Sequence, residues 1–313
     1  MGLLIKLLRY HVEVFAKNNI LSLRIGGLLI TFILVLLSGL SGWLLERLAL
    51  PGSPIPQALG AIIVIISLAS TIAARSLRDS ALIVLKELSG NCSNERLQRA
   101  RKKLSHIVGR DVSLLNEAEI LRATAETVSE NSVDGVFGPL FWMLIGASFW
   151  NLSLNLPGPL AMALIYKASS TLDSMLGYKH GKLQWLGTAG ARLDDLLTWL
   201  PCRAVLITLP ITSKKSVREL PALIKAAWED GSKDSSPNSG ISEAIFAHCA
   251  DVKMGGENKY QNKTIRKPIL SRNSPTANTE SIKRLLKLSF RLEITWLSII
   301  GSITLGITAI TPQ

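Results

Sequence analysis

Long stretches without a charged residue alternate with strongly basic ones along this chain. A helix rises about 1.5 Å per residue and a bilayer core is about 30 Å thick, so roughly 20 apolar residues cross it. Residues 25–45 form the first such run, and Pro51, Pro54 and Pro56 break the chain before a second over 57–74. Residues 135–166 are also uncharged but are interrupted at Asn155-Leu-Pro-Gly-Pro159, which predicts a helical hairpin, 135–154 followed by a helix from 157 through 166 and beyond. Residues 294–313 form the last run. Residues 196–213 are apolar but contain Arg203 and two prolines, and read as a buried or re-entrant segment. The polar stretches 75–134 and 214–290 separate these runs. Helical spacing is clear in 111–131, whereas 231–240 and 253–278 read as loop or irregular chain. The fold class expected is all-α: a polytopic helical membrane protein with about four to five transmembrane helices and cytoplasmic helical and loop segments, in one membrane-integrated domain over 1–313.

Composition supports this. Hydrophobic residues make up 48% and charged residues only 19%, with a mean hydropathy of +0.30. Thirty-five Lys and Arg against 23 Asp and Glu give a net charge of +12. The cations gather before the first run (Lys6, Arg9, Lys17, Arg24), after the second (Arg75 to Lys103), after the hairpin (Lys167, Lys179, Lys182, Arg192) and before the last run. By the positive-inside rule these segments are cytoplasmic, in a multi-pass protein of the cell membrane with membrane lipid around it. No aromatic-basic motif suggests nucleic acid. Cys92, Cys202 and Cys249 contain no Cys-x-x-Cys pair, which excludes a thiol zinc site and a disulfide framework, and the four histidines lack ligand spacing. The basic, amphipathic first 20 residues show no small-residue cleavage site, so no cleaved signal peptide is expected.

Several clusters carry candidate chemistry. Arg122, Glu126 and Glu130 share a helical face and are followed by Asn131 and Asp134 at the edge of an apolar run. They read either as an exposed i,i+4 ladder or as Mg²⁺ and phosphate ligands at a membrane boundary. In Tyr166-Lys-Ala-Ser-Ser-Thr-Leu-Asp-Ser-Met-Leu-Gly-Tyr178, Lys167, Asp173 and Ser174 can hold phosphate and metal, or can be a snorkelling lysine beside a helix cap. Asp194 and Asp195, close to Arg192, run into the apolar segment that holds Arg203. Ionisable groups at membrane depth cost roughly 2.5–3.5 kcal/mol each unless paired, so a functional or structural pairing is expected there. The loops Ser236-Pro-Asn-Ser-Gly240 and Gly255-Gly-Glu-Asn-Lys-Tyr260 let backbone approach phosphate, or are plain turns. Gly-x-x-x-x-Gly-Lys-Ser/Thr, Gly-x-Gly-x-x-Gly and Gly-x-Ser-x-Gly patterns do not occur.

Taken in order, Val108-Gly-Arg-Asp111, Glu126-Thr-Val-Ser-Glu-Asn-Ser-Val-Asp-Gly-Val136 with Pro139-Leu-Phe141, Lys167 with Leu172-Asp-Ser-Met-Leu-Gly-Tyr178, Ala191-Arg-x-Asp-Asp195 with Pro201-x-Arg203, Ser236-Pro-Asn-Ser-Gly240 and Gly255-Gly-x-x-x-Tyr260 resemble the adenosylcobinamide-phosphate synthase family over nearly the whole chain. The resemblance implies an ATP- and Mg²⁺-dependent condensation of adenosylcobyric acid with aminopropanol or its phosphate in cobalamin biosynthesis. It implies catalytic roles for Glu126, Glu130, Asp134, Lys167 and Asp173, with metal at Asp173, Asp194 and Asp195. Substrate or ATP would contact Arg122, Asn131, Ser174, Arg192, Arg203, Asn238 and Tyr260. It also carries the expectation of a homo-oligomer or association with other corrinoid-pathway enzymes; members of the family begin with a further hydrophobic Gly-Asp-Pro segment, whereas this sequence opens at Met1-Gly2-Leu3-Leu4, either short of that segment or working without it. Ser170 and Thr198 stand where the family has Asn, and Asp234 and Ser235 occupy the region where it has His. The rival reading is a non-enzymatic transporter or scaffold for a corrinoid or other anionic ligand, supported by the charges at membrane depth and the broken hairpin. It lacks the paired broken helices of two duplicated halves.

Overall fold

The computed structural model describes the chain except residues 18, 91–93, 179, 214, 261–262 and 311–313, and the side chains of 260, 263, 300 and 302–310. Cys92 and Lys179 therefore lie outside the described residues. In chain order the helices are α1 (Gly2–Ala16), α2 (Ile20–Arg47), α3 (Gln57–Thr71), α4 (Ala74–Glu87), α5 (Asn94–Leu104), α6 (Glu117–Ser132), α7 (Gly138–Leu152), α8 (Pro159–Leu176), α9 (Leu183–Leu186), α10 (Thr188–Thr212), α11 (Leu220–Gly231), α12 (Ser239–Ala250) and α13 (Thr279–Ile310). The all-α class holds. Among the described residues four helical stretches are long and apolar enough to cross a membrane: Ile20–Arg47, Gln57–Glu87, Glu117–Leu152 and Thr188–Thr212. A two-residue break at Ile72–Ala73 separates α3 from α4 within the second.

Two expectations are corrected. Residues 196–213 belong to α10, a 25-residue helix that continues through Pro201 and Pro210. A proline removes one backbone hydrogen bond, and neighbouring groups in a helical membrane protein can make that good. Residues 253–278, read as irregular, contain the antiparallel pair β1 (Met254–Tyr260) and β2 (Lys263–Leu270). A register shift between Met254 and Gly256 marks a bulge, where Gly255 and Gly256 take φ of 83° and 103°, conformations that side-chain-bearing residues rarely adopt.

The chain divides into two compact units, residues 1–72, 138–200 and 297–313 in one, and 73–137 and 201–296 in the other. In the first, Ile5, Leu23, Ile30, Leu34, Leu172 and Leu176 belong to one buried cluster. Leu28, Leu29, Phe32 and Leu36 of α2 stay exposed, as a lipid-facing surface requires. The predicted hairpin is present as α7 and α8. The start of α8 has Gly158 as N-cap and Pro159 behind it, with no cap from its own side chains. Glu46, fully buried at the end of α2, fills that role by accepting the N–H groups of Gly158, Leu160 and Ala161 at 3.0, 2.6 and 3.2 Å. One turn earlier Gly42 lies against the α8 backbone, where an added Cβ would come within 2.6 Å of Ala161 Cα. Gly42→Leu is therefore expected to destabilise the protein by about 1–3 kcal/mol through overpacking. An unchanged thermal unfolding midpoint in detergent would show that this close approach is dispensable.

In the second unit, α6 begins with a capping box. Asn116 Oδ1 accepts the Glu119 N–H at 2.9 Å and Glu119 Oε2 accepts the Asn116 N–H at 2.8 Å. After Ser132 the helix widens into a π-helical turn over Val133–Phe137, and the Gly135 carbonyl accepts the Ala73 N–H at 2.7 Å. Such turns insert a residue into a helix and recur at functional sites.

Candidate functional site

In the second unit the apolar environment of α6 and α12 forces its ionisable side chains to find partners. Glu126 is almost fully buried and pairs with the equally buried Arg110 guanidinium. Its Oε1 accepts the Gly255 N–H at 2.9 Å, and Arg122 Nε stands 3.8 Å away. Arg122 in turn donates to the carbonyls of Gly255 and Glu257 at 2.6 and 2.8 Å and to Asn258 Oδ1 at 3.2 Å, while Arg110 also reaches Asn258 Oδ1. Two arginines and one glutamate thus clamp β1 to α6.

One turn further along α6, Glu130 neighbours Lys267 of β2. The Lys267 ammonium donates to Glu243 Oε1 at 2.7 Å and lies 3.8 Å from Asp234 Oδ2. Glu243 is 1% exposed within the apolar α12. Burial pushes its carboxyl up to about 8, with Glu130 and Glu126 adding to the rise and Lys267 opposing it. Burial by itself would pull Lys267 down, but Glu243, Glu130 and Asp234 reverse this and hold the ammonium above its ordinary range. These groups are coupled: Lys267 stays charged, and Glu243 holds its proton near neutral pH.

The Ser-Pro-Asn-Ser-Gly loop is fixed from α10. Arg203 donates to Asn238 Oδ1 at 2.6 Å and to the Pro237 carbonyl at 2.8 Å, with its guanidinium 5.6 Å from the centre of the Trp228 ring. Asp234 Oδ1 accepts the Ser236 N–H at 2.9 Å. The loop is thereby attached to Asp234, which also faces Lys267.

In the first unit, α8 and the start of α10 present a second polar group. Lys167, Asp173 and Ser174 lie on α8, and Ser174 Oγ donates to the Thr171 carbonyl at 3.0 Å. Asp194 Oδ1 is buried and accepts no hydrogen bond among the described residues, with Asp173 and Asp195 as its charged neighbours. Arg192 is exposed and stands 4.0 Å from Asp195. Thr198 Oγ1 meets the buried Tyr166 hydroxyl at 3.1 Å.

The sequence matches the family described as CobD/Cbib protein over residues 1–289. The chain belongs to the CobD/CbiB family. It is therefore a membrane protein of cobalamin biosynthesis, from the adenosylcobinamide-phosphate synthase family that its motifs resemble. The cobalamin biosynthesis protein CobD of Synechocystis sp. is 44% identical over 253 residues, which cover 81% of this chain and 69% of the relative. The CobD of Klebsiella pneumoniae subsp. pneumoniae is 35% identical over 267 residues, covering 85% and 78%. The cobalamin biosynthesis protein CbiB of Salmonella typhimurium is 38% identical over 219 residues, covering 70% and 64%. No solved structure matches the chain.

Set against this CobD/CbiB chain, the site residues expected from sequence divide into three groups. Arg122, Glu126 and Glu130 meet the hairpin and Lys267, and Arg203 meets Asn238. Asp173, Asp194 and Asp195 are neighbours. Asn131 instead donates to the Thr127 carbonyl of its own helix at 3.0 Å, Asp134 sits in the π-helical turn, and the side chain of Tyr260 lies outside the described residues. Sequence reasoning missed Glu243, Lys267, Asp234 and Arg110 as members of a cluster. Glu243 carried the same signal as Arg203, a charge inside an apolar helix, and Arg110 stood in a quoted motif. Oxygen donors such as the three aspartates suit Mg²⁺ in kind. Among the described residues, however, no three Asp, Glu, His or Cys side chains converge closely enough to hold a metal ion.

Proposed function

We propose that this CobD/CbiB chain joins a carboxylate of adenosylcobyric acid to aminopropanol or its phosphate in an ATP-dependent amide-forming reaction, on the cytoplasmic face of the cell membrane. The observation that carries the reading is the family match over 1–289, within which the motif side chains gather into polar clusters on otherwise apolar helices. Carboxylates do not acylate amines at neutral pH, so a leaving group is needed. The corrinoid carboxylate displaces ADP from ATP to give an acyl phosphate. The amine then attacks the acyl carbon, phosphate departs and one proton is released. A group that holds a proton up to about 8, as Glu243 beside Lys267 does, is suited to accept that proton. Lys167, Arg192 and Arg203 supply positive charge for ATP or the amino alcohol phosphate, and charge stabilisation dominates phosphoryl transfer.

The test is ATP consumption by purified protein, with the corrinoid product followed by mass spectrometry. ATP use is expected only when both the corrinoid acid and the amino alcohol or its phosphate are present. Consumption independent of the acceptor, or none, would favour a transporter or scaffold. Asp173→Ala is expected to abolish product while the protein still inserts, and retained turnover would remove Asp173 from the site.

A further inference from the structure

We propose that a groove along α2 holds one acyl chain of a membrane phospholipid, with the headgroup phosphate on Arg47. The groove belongs to the first unit and measures about 510 Å³. Phe32, Val35, Leu36, Gly39, Leu40 and Trp43 form its long wall, at i, i+3, i+4, i+7, i+8 and i+11, one continuous face of the helix. Ile165 of α8 and Pro157 form the other side. Gly39 sets the floor. A Cβ there would come within 2.9 Å of Ile165 Cγ1, so the two helices close behind the groove at this level. From Phe32 to Trp43 the helix rises about 16 Å, the depth of one leaflet of a core about 30 Å thick.

Two features select a lipid over a neighbouring helix. Helices that pack together in a membrane favour small residues at the contact. On this wall Gly39 is small, whereas Phe32, Leu36, Leu40 and Trp43 are bulky. The second feature is the charge at the end of the groove. Trp43 donates its indole N–H to the Asn155 carbonyl at 3.0 Å, and Trp150 donates to that of Leu156 at 3.2 Å. Tryptophans gather at the membrane–water interface, so Arg47, one turn beyond Trp43, stands at headgroup level. Its guanidinium lies 4.4 Å from the centre of the Trp43 ring, and Nη1 donates to Asn155 Oδ1 at 3.3 Å. Nε and Nη2 are shielded from water and have no hydrogen-bond partner among the described residues. The adjacent carboxylate, Glu46, is taken up by the α8 amides. A guanidinium left short of acceptors is costly, and its planar fork suits a phosphate. A small turn of the flexible arginine stem offers both nitrogens to a phosphate at the mouth of the groove.

Native mass spectrometry of the full-length protein in detergent tests this, with dioleoyl phosphatidylglycerol and dioleoylglycerol as separate probes. The two carry the same chains, and the second lacks the phosphate. Wild type is expected to retain one phosphatidylglycerol and to bind it about tenfold more tightly than the diacylglycerol, the worth of one charge-assisted contact. Arg47→Gln should erase that preference, and Leu36→Trp, which fills the groove, should weaken both lipids. Leu37→Trp lies at an exposed position of α2 outside the groove and should bind as wild type does. Phosphatidylglycerol should also raise the unfolding midpoint of wild type but not of Arg47→Gln, a readout that stands even where Leu36→Trp does not fold. Equal affinity of wild type for the two probes, or an undiminished preference in Arg47→Gln, would overturn the proposal. Equal weakening by Leu37→Trp and Leu36→Trp would do so too, since the lipid would then be held around the helix at large. A lipid-free dimer of wild type that Leu36→Trp dissociates would assign the groove to a second copy instead.

Discussion

Glu126→Ala is expected to lower the stability of the 73–137 and 201–296 unit by about 3–5 kcal/mol, the range for removing one partner of a buried ion pair. The side chains of Arg110 and Glu126 are only 6% and 5% exposed, so the arginine left behind has little water to replace the carboxylate. Arg122 loses its counter-charge at the same time, and the Gly255 N–H loses its acceptor. Glu126→Gln keeps an oxygen for Gly255 but no charge, and should fall between the two. Thermal unfolding gives the magnitude. Hydrogen exchange at Gly255 reports whether the hairpin has come away from α6, because this amide is the one that Glu126 covers. An alanine variant with wild-type melting and a protected Gly255 amide would mean that Glu126 does not hold the hairpin.

Glu243→Gln is expected to cost about 10²–10⁴ in turnover, the usual contribution of a general base. A base must be deprotonated to act, so the wild-type rate should climb with pH up to about 8 and then level off. The glutamine variant should lack that limb while its binding of substrates is little changed. A variant that is slow but keeps the limb would assign the titration to another group. Stability follows the same proton with opposite sense. The folded protein keeps it up to about 8, whereas an unfolded glutamate releases it near its ordinary value of 4.5. The folded state binds more protons in that interval, so stability from this carboxyl is complete at low pH and declines as pH rises from 4.5 to 8. Glutamine should flatten that decline.

The first two transmembrane stretches and the α7–α8 hairpin were legible because span length and proline-glycine interruptions are local properties of the chain, whereas α10 was hidden by the two prolines and Arg203 that it carries. The β1–β2 pair was not. Its strands are short and polar, Glu257 and Arg266 pair across them at the surface, and what holds β1 is Arg122, more than 130 residues earlier. Distance along the chain also hid the partners of Glu126. The spacing pointed to Arg122 at i−4, which stands 3.8 Å away, whereas the close contacts come from Arg110 and the Gly255 amide. Lys267 lies in a basic stretch that bore on membrane orientation alone, and only the fold brings it to Glu243 and Glu130.

The Glu46 contact sets a condition on how the chain is made. The carboxylate and its first amide partner are 112 residues apart. At about 5–20 residues per second, Glu46 is synthesised roughly 6–22 s before Gly158. Throughout that interval the nascent chain carries a carboxyl at the end of an apolar helix with nothing to receive it. It has to be solvated by lipid headgroups and water, or held by the insertion machinery, until α8 starts. Completion of α8 then brings the three amides that seal Glu46 away from solvent.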